Sequence, residues 1–110
     1  MSDTTPEITV DDLATVLARG DAVVDVREPG EYVTAHVPGA RLLPMGQVPS
    51  RIAELDPESP VYVVCASGNR SATIADLLIA KGFDAYSVAG GTKAWIASGR
   101  SVATGTTPNA

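Results

Sequence analysis

The chain has 110 residues, a length typical of one small domain, and its hydrophobic fraction of 45% is enough for a small core. A net charge of −5 without a lysine or arginine cluster argues against nucleic acid or an anionic membrane as a partner. One cysteine excludes an internal disulfide, and one histidine argues against a metal site. The sequence has no apolar run long enough to span a membrane, and Met1–Thr5 does not resemble a signal peptide. We therefore expect a cytoplasmic protein without a cofactor.

The first half of the chain alternates short apolar runs with short helical segments. Residues 1–6 are polar and are predicted to form a flexible arm before a domain over residues 7–100. The predicted elements are an edge strand at Glu7-Ile8, a helix from the N-cap Thr9 to Gly20, a strand over Ala22–Val26, a helix over Glu31–Ala35 and a strand over Ala40–Leu43.

Two polar residues in this half, Asp25 and His36, could have either a structural or a catalytic role. Asp25 lies inside an apolar strand, and a buried carboxylate is costly unless it has partners. We therefore predict that Asp25 accepts hydrogen bonds from backbone or arginine groups and fixes the local structure. His36 in a turn could be a general base, but we favour a structural role in which it hydrogen-bonds the backbone.

The second half continues the alternation, so the chain predicts an α/β domain with a mostly parallel sheet. The Ser/Thr/Gly/Pro-rich residues 101–110 are predicted to be a disordered tail. The predicted elements are a helix from Pro49 through Leu55, a strand over Val61–Val64, a helix over Ser71–Lys81, a strand over Ala85–Val88 and a helix over Thr92–Ser98 with Trp95 in the core.

The stretch with the clearest chemical meaning places Cys65 between a buried strand and a helix. Such a turn lies at the sheet edge where ligands bind in α/β proteins. Backbone N–H groups from Ala66 to Ser71 could surround one anionic atom, Gly68 permits a positive φ, and Arg70 adds a permanent charge. This environment would stabilise a thiolate or persulfide without a base, whereas a buried cysteine in other contexts is usually only a small hydrophobe.

Four motifs in this order resemble the rhodanese homology domain, over about residues 7–100. The motifs are Asp25-Val26-Arg27-Glu28 with Glu31-Tyr32, then His36-Val37-Pro38-Gly39-Ala40, then Cys65-Ala66-Ser67-Gly68-Asn69-Arg70-Ser71, and finally Gly82-Phe83 and Gly90-Gly91 with Trp95. The resemblance implies a single rhodanese-like domain whose central, mostly parallel five-stranded sheet is flanked by helices on both faces.

The resemblance also implies a sulfurtransferase reaction. Cys65 would take a sulfur atom from thiosulfate or a related donor, become a persulfide, and pass the sulfur to cyanide or a thiol. Arg70 and the loop N–H groups, from Ala66 through Ser71, would hold the anionic sulfur. Asp25, Arg27 and His36 would brace the floor of the loop.

Other functions remain open on the residues alone. Cys65 could carry a persulfide from one protein to another, or the domain could be regulatory without turnover. Phosphatases of the same fold have five residues between cysteine and arginine, whereas four separate Cys65 from Arg70 here, so the smaller loop favours sulfur transfer. Ala66 stands where many relatives carry a second arginine, so one cation is missing beside the cysteine. Ala35 stands where a glycine is common in the family.

Overall fold

A five-stranded sheet forms the centre of the computed structural model, which describes residues 4–109. The strands are β1 (Glu7–Ile8), β2 (Ala22–Asp25), β3 (Arg41–Leu42), β4 (Val61–Val64) and β5 (Ala85–Val88). They lie in the order β1-β5-β4-β2-β3, and every neighbouring pair is parallel. The predicted α/β fold with a five-stranded parallel sheet is confirmed, and β4 is its central strand.

Four helices connect successive strands and a fifth follows β5: α1 (Val10–Ala18), α2 (Pro29–Thr34), α3 (Val48–Arg51), α4 (Asn69–Ala80) and α5 (Gly91–Ala97). Thr9 caps α1 as predicted, since its hydroxyl accepts from the Asp12 N–H at 3.1 Å. The helix predicted from Pro49 to Leu55 is shorter, because a 3₁₀ turn over Ile52–Glu54 tightens its end. Within residues 4–109, no helix has the length and apolarity needed to cross a membrane.

The side chains of β4 alternate between two cores, because successive residues of a strand point to opposite faces of the sheet. Val61 and Val63 pack with the α4 residues Ile74 and Leu78 on one face. On the other face, Tyr62 and Val64 pack with residues of α1 and α5, namely Leu13, Val16 and Trp95. Helices therefore cover both faces of the sheet, and the prediction that Trp95 belongs to the core is confirmed.

The C-terminal segment differs from the predicted disordered tail. Over residues 101–109 it returns to the domain, where the backbone groups of Ala103 and His36 exchange two hydrogen bonds of 2.8 Å. The Gly39 N–H donates to the Pro108 carbonyl at 3.0 Å, and Ala103 is buried. Composition alone suggested disorder, but the turn around His36 supplies partners for the backbone of the segment; Ala110 lies outside the described residues.

The predicted N-terminal arm is also partly anchored. The Pro6 carbonyl accepts from the Ser87 N–H at 2.9 Å, and the Thr5 hydroxyl donates to Asp76 at 2.8 Å. Residues 1–3 of the arm lie outside the described residues. The Pro6 hydrogen bond extends the pairing of β1 with β5 by one residue toward the amino terminus, and the Thr5 hydrogen bond joins the arm to α4.

A buried ion pair closes the carboxyl end of β2. Asp25 is 0% exposed and accepts from the Arg27 backbone N–H at 3.0 Å and from its Nε and Nη2 at 2.9 and 2.8 Å. Arg27, 5% exposed, also donates from Nη2 to the Ala35 carbonyl at 2.9 Å. The predicted backbone and arginine partners of Asp25 are thus present, and they tie β2 to the end of α2.

Replacing Asp25 by alanine would leave the Arg27 guanidinium buried without its counter-charge. We expect Asp25→Ala to lower the free energy of unfolding by about 3–5 kcal/mol, measured by urea denaturation. Asp21→Ala is the matched control, because the Arg19–Asp21 pair lies at the surface and its loss should have little effect. Equal stability of the two variants would contradict a structural role for the buried pair.

Candidate active site

Cys65 follows the last residue of the central strand β4 and faces the start of α4. Its side chain is buried, with 1% of the residue exposed. Gly68 takes a φ of +112°, a conformation that L side chains rarely adopt, and it directly precedes the first residue of α4. The chain therefore curls around Cys65 between the strand and the helix, so the predicted loop geometry is present.

Two backbone donors and one hydroxyl of the loop surround the Cys65 sulfur. The backbone N–H groups of Gly68 and Ser71 lie 3.1 and 3.3 Å from Sγ. The Ser71 hydroxyl lies 3.4 Å from the same atom. The ring of residues Cys65–Ser71, which we call the sulfur loop, thus turns its donors inward onto one atom, an arrangement suited to a negative charge.

These hydrogen bonds decide the ionisation of Cys65. Burial is the largest influence and acts to raise the pKa of the thiol, but the hydrogen bonds from the Ser71 hydroxyl and from the N–H groups of Ser71, Gly68 and Ser67 outweigh it. The net result is a pKa below the ordinary value for cysteine. A thiolate is the nucleophilic form of cysteine, so the sulfur loop favours reactivity.

The outer side of the sulfur loop is held by the start of α5. The Thr92 N–H and hydroxyl donate to the Cys65 carbonyl at 2.8 and 3.0 Å, and the Lys93 N–H donates to the Ala66 carbonyl at 3.0 Å. A Cβ on Gly91 would lie 2.5 Å from the Cys65 carbonyl oxygen and 2.7 Å from that of Ala66. Only glycine permits this close approach of two backbones.

Arg70, which was predicted to help hold the anionic sulfur, forms an ion pair that the sequence did not predict. Nη1 and Nη2 of Arg70 donate to the two carboxylate oxygens of Glu31 at 2.8 and 2.9 Å. This bidentate pair links α4 to α2 and lowers the pKa of Glu31 to about 2, mainly through the hydrogen bonds. Arg70 still interacts electrostatically with Cys65, which contributes to its own raised pKa after the larger effect of Glu31.

The three predicted supporting residues lie in two places. Asp25 pairs in register with Val64, directly before Cys65, and Arg27 lines the same cavity as Ala66. His36 is fully buried and stacks on Tyr32 at a ring distance of 3.7 Å. Its ring nitrogens lie 2.8 Å from the Tyr32 carbonyl and 3.0 Å from the Thr107 carbonyl, so its hydrogen bonds go to backbone, as predicted, and not to Cys65.

A cavity of about 500 Å³ opens beside the sulfur loop and forms its mouth. The mouth is bounded by α2 residues with Arg27 and Ala35 on one side, by Ala66 at the loop, and by α5 on the other side. Lys93 and Ile96 project from α5 and are exposed. Within residues 4–109, no group of three His, Cys, Asp or Glu side chains could hold a metal ion.

Sequence reasoning missed the roles of four residues at this site. Glu31, Thr92 and Lys93 contact or face the sulfur loop from other helices, and Ser87 lies behind it on β5. Each is distant in sequence from the loop residue that it contacts, so no local pattern reveals the pairing. The acidic Glu31 was visible only as part of a motif around the start of α2.

Comparison with known proteins places these features in a family. A model of the rhodanese-like domain matches residues 9–98. A thiosulfate sulfurtransferase GlpE from Pseudomonas paraeruginosa is 38% identical over 96 residues, which cover 86% of this chain and 87% of that protein. A protein of the same name from Pseudomonas putida is 41% identical over 80 residues, 72% of this chain and 73% of its own.

Solved structures give the same result for the fold. A rhodanese-related protein from Thermoplasma volcanium is 30% identical and superposes with a TM-score of 0.82 over 88% of this chain and 96% of its own. A rhodanese-like domain protein from Staphylococcus aureus is 37% identical with a TM-score of 0.77, covering 82% of this chain and 90% of its own. With its fold, its cysteine loop and these relatives in agreement, the chain belongs to the rhodanese-like domain family.

Proposed function

We propose that this rhodanese-type enzyme transfers a sulfane sulfur from thiosulfate or a related anionic donor to a nucleophilic acceptor through a persulfide on Cys65. The observation that carries the proposal is the ring of two backbone N–H donors and one serine hydroxyl around the Cys65 sulfur at the carboxyl end of β4. The names of its relatives, thiosulfate sulfurtransferases, support the choice of donor.

In the first half-reaction, the Cys65 thiolate attacks the outer sulfur of thiosulfate. A new S–S bond forms to Cys65, the bond between the outer sulfur and the sulfonate breaks, and its electron pair leaves with sulfite. One thiolate and one thiosulfate dianion become a persulfide anion and a sulfite dianion, so charge is conserved. The lowered pKa of Cys65 supplies the thiolate without a separate base.

In the second half-reaction, the acceptor attacks the terminal sulfur of the persulfide. The S–S bond breaks, its electrons return to Cys65 as thiolate, and cyanide leaves as thiocyanate or a thiol leaves as a new persulfide. The N–H groups of Gly68 and Ser71 that stabilise the thiolate at the start are again in place at the end. The enzyme therefore needs no cofactor to complete the cycle in this scheme.

The charge at the mouth bears on the identity of the donor. Arg27 is neutralised by Asp25 and Arg70 by Glu31. In the part of the chain that the structure describes, Lys93 is the one cation lining the mouth that has no carboxylate partner. We assign to Lys93 the recognition of the anionic donor, a role that compensates for the missing arginine at Ala66.

Arg70 would act on the reaction through its pair with Glu31. The pair holds α2 against the first turn of α4, and it keeps one positive charge near the sulfur whose field reaches Cys65.

The single cysteine is a free thiol. A reactive thiol that must return to its reduced form after each cycle suits a reducing compartment, so we propose that the protein acts in the cytoplasm.

The covalent step can be tested by intact-protein mass spectrometry. Wild-type protein incubated with thiosulfate should gain about 32 Da, the mass of one sulfur atom, and lose it when cyanide is added. Cys65→Ala should gain nothing, while its circular dichroism spectrum stays that of the wild type. An adduct on the alanine variant, or turnover without Cys65, would overturn the mechanism; thiocyanate formation should be measured on the same samples.

The role of Lys93 can be tested by comparing two donors of different charge. Lys93→Ala should raise KM for the thiosulfate dianion by about two- to fivefold, and less for benzenethiosulfonate, a monoanion that delivers the same sulfur. The difference should shrink as salt is added, because the interaction is screened. Lys81→Ala, at the far end of α4, is the control. An equal change in KM for both donors would contradict recognition of charge by Lys93.

The Arg70–Glu31 pair predicts the titration of Glu31. The pKa of Glu31 is about 2, below the ordinary 4.5, so the carboxylate stays charged until the pH falls through about 2. Its carbon-13 carboxyl resonance should therefore titrate near pH 2 in the wild type and at a higher pH in Arg70→Ala, where the hydrogen bonds that lower the pKa are lost. A wild-type midpoint near 4.5 would mean that the pair does not form in solution.

A further inference from the structure

Ser87 is a buried polar residue that the reaction scheme leaves without a role. It lies on β5 with 0% exposure, and it shares a sheet face with Ala85, which packs in the α4 core. Its hydroxyl oxygen lies 2.7 Å from the Ser71 hydroxyl oxygen. Within residues 4–109, this is the one hydrogen bond that the Ser87 side chain makes.

The positions of the neighbouring acceptors fix the direction of this hydrogen bond. The Ser71 hydroxyl donates to the Gly68 carbonyl at 3.1 Å, and the Cys65 sulfur, 3.4 Å away, is a second acceptor for its proton when the sulfur is a thiolate. If Ser71 donated to Ser87, the proton of Ser87 would be left without an acceptor in a buried site, which is costly. Both hydroxyl groups have acceptors when Ser87 donates to Ser71 and Ser71 donates to the Gly68 carbonyl or to the Cys65 thiolate.

We propose that Ser87 is a positioning residue for the reaction, because its hydroxyl donates to Ser71 and thereby frees the Ser71 proton to serve the Cys65 sulfur. With Cys65 as a thiol, its S–H donates to Ser71 and the Ser71 proton goes to the Gly68 carbonyl. With Cys65 as a thiolate, the Ser71 proton turns to the sulfur. Ser87 donates to the same oxygen in both states, so that, apart from the thiol proton that is lost to solvent, only the Ser71 proton changes its acceptor.

The same movement would accompany sulfur transfer, and this part of the inference rests on the proposed function. When the persulfide forms, the negative charge passes from the Cys65 sulfur to the outer sulfur. The Cys65 sulfur then becomes a weaker acceptor, and the Ser71 proton can return to the Gly68 carbonyl, 3.1 Å away. When the sulfur leaves, the proton turns back to the thiolate, and the Ser87 hydrogen bond polarises Ser71 for that purpose.

The charged groups around Cys65 are independent of this serine pair. Arg70 of α4 is paired with Glu31 of α2, and Arg27 is paired with Asp25 beside β4. Lys93 of α5 faces the mouth on the other side of the sulfur loop. Within residues 4–109, Ser87 makes no side-chain hydrogen bond with these charged groups, so we expect a change at position 87 to act on the sulfur through Ser71.

The test is the pH dependence of Cys65 alkylation by iodoacetamide, which does not require turnover. Ser71→Ala should raise the thiol pKa and slow alkylation below that pKa by about tenfold or more, and Ser87→Ala should do so by about two- to fivefold. The double variant should match Ser71→Ala alone, because Ser87 acts through Ser71. Ser98→Ala, a serine that donates to the Trp95 carbonyl away from the sulfur, is the control and should leave the profile unchanged.

Two results would overturn the inference. One is a Ser87→Ala profile that coincides with the wild type, and the other is a double variant whose shift equals the sum of the two single shifts. Because mass spectrometry of the persulfide is a separate measurement, a normal adduct with an unchanged alkylation profile would refute the role of Ser87 and leave the proposed function standing. If the wild type forms no persulfide adduct but Ser87→Ala shifts the alkylation profile as expected, the proposed function is refuted and the role of Ser87 stands.

Discussion

The curvature of one short loop is the constraint on which the site depends. Residues 65–71 can turn their N–H groups onto the Cys65 sulfur only if their carbonyl groups point outward, and outward carbonyls need donors of their own. The first turn of α5 supplies them through Thr92 and Lys93, and Gly91 lets that turn come close enough. The geometry of the nucleophile is therefore set by hydrogen bonds on both sides of the same backbone.

The charges around the loop are arranged to cancel except at the mouth. In each of the pairs Asp25–Arg27 and Arg70–Glu31 the two charges cancel; the first pair connects the end of β2 to the end of α2, and the second connects α2 to α4. The charged side chains near the Cys65 sulfur are therefore paired with each other, and the sulfur itself is stabilised mainly by neutral backbone N–H donors. This suits a group that alternates between thiolate and persulfide, because a fixed unpaired cation directly on the sulfur would favour one form over the other.

The sequence allowed most of the fold and the nucleophile to be predicted, because both depend on local patterns. The apolar run before Cys65, the glycine at position 68 and the spacing of α4 indicate a strand, a turn and a helix in succession. The partner of Arg70 could not be predicted, because the pairing depends on how α2 packs against α4 across 39 positions of sequence. The order of the tail could not be predicted either, since its contacts are made by backbone atoms, which every residue type shares.

Because the C-terminal segment packs back onto the domain, the folded unit extends beyond the match to the family model. The match to the family model ends at residue 98, yet the Thr107 carbonyl and the backbone of Ala103 complete the surroundings of His36, a fully buried imidazole. A protein shortened to the family boundary would open that imidazole to water on one side and remove the acceptor for the Gly39 N–H. The match to the family model therefore ends before the structured part of the chain does. The residues between these two points are ones whose composition suggests disorder.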